Sequence, residues 1–134
     1  MTHLRVEREL AASPQRLWAA LTTAEAIASW MWPGSFATTA AVDLRVGGRY
    51  RIQSDPMDMA VEGEYVVIDA PVGLVQSWRW DGENEETLVT VAIEPTSTGS
   101  RVVVVHEGFP DDEQAAIHRQ GWNDCLDRLP AYLA

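Results

Sequence analysis

The residues able to do acid–base or ligand chemistry in this chain are few: three histidines, one cysteine, and six tryptophans beside three tyrosines and two phenylalanines. His106 is the most informative of them, because strand alternation puts it on one side with Val102 and Val104 and puts Glu107 on the other. An inward imidazole either bonds a backbone carbonyl or a neighbour such as Tyr65, or orients a ligand hydroxyl or carbonyl and moves a proton near neutral pH. His118 falls one helical turn before Trp122, at the edge of an apolar stripe, and is the weaker candidate; His3 is expected in solvent. Cys125 lies on the same stripe and reads as an inert core thiol, since no histidine stands beside it in sequence to lower its pKa.

Several chemistries find no residues to carry them. HEGFP, at positions 106–110, lacks a second histidine four residues on, so neither a zinc site nor any other metal or cofactor is expected. There is no GxSxG, no GxxxxGK[ST] and no GxGxxG; Gly47-Gly48 is a tight turn between strands. Glu62 and Glu64 share a strand face opposite Tyr65, which makes them a solvated edge and not a glycosidase-type carboxylate pair.

The aromatic residues offer a binding chemistry instead. Trp78 and Trp80 share one strand face, as do Tyr50 with Ile52 and Val61 with Tyr65. Trp30, Trp32 and Phe36, together with Met57 and Met59, form either an adaptable entrance for apolar ligands or ordinary loop anchors.

The elements that position these side chains follow from periodicity. Residues 3–10 alternate as a half-buried strand, with Leu4 and Val6 inward. Ser13-Pro14 opens a helix carrying Leu17, Trp18 and Leu21, and Thr22 or Thr23 caps a short second helix through Glu25–Trp30. An aromatic-rich loop, Trp30–Phe36, follows. Period-two segments then span about 40–44, 48–54, 60–69, 73–80, 87–94 and 100–107, with connections short enough for an antiparallel meander. From Pro110–Asp112 a long helix carries Ala115, His118, Trp122, Cys125 or Leu126, Leu129 and Leu133 at helical spacing, with Pro130 expected to kink or loosen its last turn. The layer logic yields an α+β fold: a curved antiparallel sheet of about seven strands gripping a long C-terminal helix.

At 134 residues the chain is expected to form one domain over 1–134. Its formal charge of −10, with all ten basic residues arginine, argues against nucleic-acid binding; Arg45, Arg49 and Arg51 read as a solvated strand face. The N-terminal residues alternate charge with apolar side chains, so no membrane insertion is expected, and a single cysteine makes a reducing cytoplasm the expected setting.

The order of elements, with the words SPQRLWAALTTAEAIASWMWP, DLRVGGRYRI, VEGEYVVIDAPVGLVQSWRW and HEGFPDDEQAAIHRQGWNDCLDRLPAYL, resembles the SRPBCC superfamily (START-like, helix-grip fold) and within it the family named after the activator of Hsp90 ATPase. The likeness covers almost the whole chain. It implies that the aromatic strand faces turn toward the long helix, where Trp122 meets them across an apolar cavity. On that reading Trp30, Trp32, Phe36, Tyr50, Met57, Met59, Tyr65, Trp78, Trp80, His106 and Trp122 contact a hydrophobic small molecule, without cofactor. The alternatives are a cyclase- or hydrolase-type enzyme in which His106 moves a proton, and a protein-interaction module for an Hsp90-type chaperone. The eukaryotic activators that give the family its name carry a further N-terminal domain. A homodimer is a further expectation, with the Trp30–Phe36 loop or an exposed apolar strand as its surface.

Overall fold

The computed structural model describes residues 2–134. They form β1 (Thr2–Leu10), α1 (Pro14–Thr22), α2 (Ala24–Trp30), a 3-10 turn at Gly34–Phe36, β2 (Thr39–Val42), β3 (Arg49–Ser54), β4 (Met59–Asp69), β5 (Gly73–Trp80), β6 (Thr87–Thr96), β7 (Gly99–Phe109) and α3 (Asp112–Leu133). The elements lie within about two residues of the spans that periodicity predicts. All strand pairs are antiparallel, and β2 to β7 pair in chain order as a meander. The first strand returns beside the last, so the sheet runs β1-β7-β6-β5-β4-β3-β2. It grips α3, as the helix-grip class requires.

Local chemistry explains the ends of the helices. Ser13 Oγ accepts from the Arg16 amide at 3.2 Å with Pro14 at the first helical position, and Asp111 Oδ1 accepts from the Gln114 amide at 2.8 Å. Thr23 precedes α2 but does not cap it; its hydroxyl donates back to the Ala19 carbonyl. The C-terminal carbonyls of α2 are capped from a distance, by Arg128 of α3, whose Nε donates to Trp30 O at 3.1 Å and Nη2 to Met31 O at 2.7 Å. Helix α3 continues past Pro130 to Leu133, contrary to the loosening expected there. Leu126 and Leu129 are wholly buried, Leu133 nearly so, and Arg16 Nη2 holds the Leu133 carbonyl at 2.5 Å. Each such buried leucine contributes roughly 1.5–3 kcal/mol, enough to hold one turn against an imperfect backbone.

The ladder slips at two places, opposite Gly108 where Thr2 pairs Phe109 and His3 pairs Glu107, and within β4. The β4–β5 register shifts by one between Tyr65 and Val67, so Val66 is an extra residue and both valines face solvent, at 46% and 48% exposure. Gly47 and Gly48 close the ladder beside this bulge: Gly47 N donates to Tyr65 O at 2.8 Å and Tyr65 N to Gly48 O at 2.9 Å. Gly63 is required by packing, since a Cβ there would lie 1.9 Å from the Ser77 carbonyl oxygen and 2.8 Å from the Tyr50 ring. The Tyr50 hydroxyl instead crosses over Gly63 and donates to that same carbonyl. The Gly63→Ala substitution is therefore expected to cost about 3 kcal/mol of unfolding free energy in urea, because the clashing atom is backbone and cannot move aside.

Candidate functional site

The inner face of the sheet is nearly filled. The space between sheet and α3 amounts to about 30 Å³, walled by Trp30, Tyr50, Tyr65, Leu126 and Trp122 among others. A volume of that size holds about one water and no organic ligand. The larger opening lies at the edge of the grip, where α2, the 3-10 turn, the end of β5 and the N-terminal half of α3 meet. It encloses about 440 Å³. Trp32, Phe36, Met59, Trp78, Trp80 and Trp122 form its apolar walls. A second recess of about 330 Å³ adjoins it beneath the β5–β6 loop and shares Trp78, Trp80, Glu83, Gln114 and His118 with the first.

The site residues expected from sequence thus separate into groups. Trp32, Phe36, Met59, Trp78, Trp80 and Trp122 come together at the larger recess. Trp30, Tyr50 and Tyr65 pack round the small interior space; Trp30 also ties α2 to α1, its Nε1 donating to Ala20 O at 2.7 Å. Met57 stands 51% exposed on the β3–β4 turn and lines neither recess. His106, at 0% exposure, lies beneath the aromatic walls and lines neither recess.

The hydrogen bonds of His106 define its state. Trp122 Nε1 donates to His106 Nδ1 at 3.0 Å, so the ring proton sits on Nε2. That nitrogen lies 2.6 Å from Thr87 Oγ1, whose own hydroxyl proton goes to the Trp78 carbonyl at 3.2 Å. Along the chain Trp122–His106–Thr87–Trp78 each of the three linking donors finds its acceptor with a neutral imidazole. Burial, aided by neighbouring His118, pushes the His106 pKa from 6.5 down to about 3. The partners are Trp122 and Thr87, not Tyr65.

A second tryptophan–histidine pair repeats the pattern at the groove. Trp80 Nε1 donates to His118 Nε2 at 3.0 Å, while His118 Nδ1 donates to the Gln114 carbonyl at 2.8 Å. The two imidazoles sit edge to face at 5.3 Å, and Phe109 packs against both, at 4.5 and 4.7 Å. Trp80 in turn lies nearly parallel to Trp32, 6.1 Å between centroids. Sequence reasoning left His118 at the margin and omitted Gln114, Ile117, Gly121 and Arg128, all of which line the groove. Gln114, His118, Gly121, Asp124 or Cys125, and Arg128 recur at intervals of three or four as a helical stripe, but its polar members and glycine carry no hydrophobic signal.

Cys125 also borders the groove; burial raises its thiol to about 11, which leaves it protonated and unreactive at neutral pH. Among the described residues no group of three His, Cys, Asp or Glu side chains is placed to hold a metal ion, and no helix is long and apolar enough to cross a membrane. Glu62 faces outward and pairs with Arg79 at 3.0 Å and Arg51 at 3.7 Å.

A curved seven-stranded antiparallel sheet closed on a long C-terminal helix, with an aromatic groove at the helix edge, defines a helix-grip protein. The chain belongs to the family described as activator of Hsp90 ATPase homolog 1-like protein, whose model matches residues 11–134. It is similar in structure to a Chromobacterium violaceum protein, with a TM-score of 0.84 at 26% identity over 98% of this chain and 96% of that one. An HSP90 activator from Plasmodium falciparum shares the fold at TM-score 0.80 and 21% identity, over 99% of this chain and 96% of that one. A protein of the dynemicin biosynthetic locus shares it at TM-score 0.85 and 19% identity; 98% of this chain covers 46% of that one. No functionally curated protein matches the chain.

The depressed His106 pKa has a measurable consequence. The unfolded histidine takes up a proton below about pH 6.5 while the folded one stays neutral to about pH 3, so stability is full above 6.5 and falls with pH across that window. From about pH 7 to about pH 5 this one group removes about 2 kcal/mol. The His106→Gln variant keeps an acceptor for Trp122 and a donor for Thr87 but does not titrate. Its stability deficit relative to wild type, measured by urea unfolding, is expected to shrink by that amount over the same range; a constant deficit would contradict the assignment.

Proposed function

We propose that this protein binds a small apolar or aromatic molecule, and that the groove between the 3-10 turn, β5 and α3 is where it does so. The observation that carries this reading is the recess of about 440 Å³ whose walls include four indole rings, those of Trp32, Trp78, Trp80 and Trp122. Ligand sites are typically concave and apolar, with volumes of about 300–1,000 Å³ and a few polar groups for orientation. Gln114, His118 and Arg128 supply polar groups here. Exposed Ile117, at 56%, extends the apolar surface outward along α3.

A proton-transfer role for His106 has less support. Both ring nitrogens are engaged within the protein, and neither recess reaches it. The second reading is a chaperone-binding module, favoured by the family's description and by the Plasmodium falciparum HSP90 activator that shares the fold. It requires that the chain raise the ATPase rate of an Hsp90-type chaperone, whereas small-molecule binding alone leaves that rate unchanged.

Gly121 provides the test. It lines the groove on α3, a Cβ there would meet nothing within 4 Å, and its replacement removes a weak helix residue. The Gly121→Leu variant is expected to fold with equal or greater stability, by up to about 1 kcal/mol, while filling the groove. A panel of apolar and aromatic compounds should raise the melting temperature and change the tryptophan fluorescence of wild type and not of this variant. Equal shifts in both proteins would place the binding elsewhere.

A further inference from the structure

We infer that the groove selects an apolar or aromatic molecule carrying a neutral carbonyl, whose oxygen accepts from the indole N–H of Trp78. The inference rests on the binding role proposed for the groove and adds the chemical class of its occupant. An unmatched donor carries it. Of the indoles in and beside the groove, Trp80 donates to His118, Trp122 to His106 and Trp30 to the Ala20 carbonyl. Trp78 Nε1–H has no acceptor among the described residues, although the side chain is 5% exposed and walls both recesses. Water does not satisfy it either, because the nitrogen is closed to solvent. A donor in that condition gains a whole hydrogen bond when an acceptor arrives, whereas a solvated donor only exchanges one partner for another.

The surroundings of Trp78 suit the same ligand. Its ring neighbours are Tyr50, His106, Trp80 and Trp122; of these only Trp80, edge-on at 5.8 Å, and Trp122, at 5.3 Å, also line the larger recess. An entering oxygen therefore approaches the nitrogen between those two rings. Both nitrogens of His118 are engaged, one with Trp80 and one with the Gln114 carbonyl, so this imidazole accepts nothing from a ligand. Arg128 spends Nε and Nη2 on Trp30 O and Met31 O, which leaves Nη1 as a second donor on the groove wall. The Gln114 amide serves either way. Glu83 and Asp124 lie exposed at the border, and in a protein of net charge −10 they turn away an anionic acceptor, which a neutral oxygen avoids being. Trp32 and Trp80, 16° from parallel with centroids 6.1 Å apart, give a planar body flat walls.

The test is calorimetric titration with three molecules of similar shape: 2-acetonaphthone, its hydrocarbon analogue 2-isopropenylnaphthalene, and 2-naphthoate. Wild type is compared with Trp78→Phe, which removes the N–H. The ratio of ketone to hydrocarbon affinity is expected to fall about fivefold in the variant; the ratio isolates the hydrogen bond because both molecules lose the same ring contacts. Wild type should bind the ketone more tightly than the naphthoate. A second measurement needs no variant: the Trp78 indole N–H resonance, assigned through its contacts with Tyr50 and Trp122, should move downfield with the ketone and not with the hydrocarbon. An unchanged ratio in folded Trp78→Phe, an indole resonance that the ketone moves no further downfield than the hydrocarbon does, or tighter binding of the naphthoate overturns the carbonyl site while leaving the groove as a binding site. Failure of all three to bind overturns both readings.

Discussion

The interior of this protein is organised by a histidine that must remain uncharged. His106 joins four elements at once: it stands on β7, accepts from Trp122 of α3, and reaches Thr87 of β6, which bonds the Trp78 carbonyl of β5. A proton on Nδ1 would face the Trp122 indole N–H and break the first link, so this bond between helix and sheet requires the neutral imidazole protonated on Nε2. The orientation of Trp122 follows from that bond. Its ring sits 5.3 Å from Trp78 and separates the filled interior from the outer groove. Without that hydrogen bond nothing polar would fix which way a large flat ring on α3 meets the sheet.

The same bond explains why the accessible space lies at the edge of the grip. Tyr50, Tyr65, Trp78 and Trp122 occupy the volume beneath the helix, with Tyr50 and Tyr65 only 5.5 Å apart and Tyr50 tied to the Ser77 carbonyl across Gly63. Close packing of such rings leaves about 30 Å³. What remains open is the margin where α2 ends. Arg128 holds it in place through the carbonyls of Trp30 and Met31, setting the position of Trp32 opposite Trp80.

Most of the fold was legible in the sequence because its signals are local. Alternation in Val102–Glu107, the Ser13-Pro14 start and the Asp111 cap each act within a few residues. The bulge at Val66 was not legible, since it depends on where Gly47 and Gly48 pair with Tyr65. Pro130 misled for a similar reason: the buried leucines and Arg16 that keep the last turn helical belong to tertiary structure. At the site, the aromatic character was readable but its partition was not. Period two places Tyr50 and Trp78 on inner faces; it does not say that one fills the interior while the other borders an opening. His118 shows the limit most clearly, since only the fold brings it to Trp80, 38 positions away.

A chain whose only basic side chains are arginines has a constraint that the structure resolves by location. Arginine's planar fork suits carboxylates, and the outward face of the sheet uses it so, with Arg51 bidentate to Asp81 and Arg101 between Glu9 and Glu94. Such exposed pairs are screened by solvent and add little stability individually. Their larger effect is on where the remaining negative charge lies. With the sheet face largely neutralised, unpaired carboxylates gather at the β5–β6 loop and the start of α3, on either side of the second recess. The apolar groove of indoles therefore opens beside a surface that carries Glu83, Glu85 and Asp111 with no salt-bridge partner among the described residues.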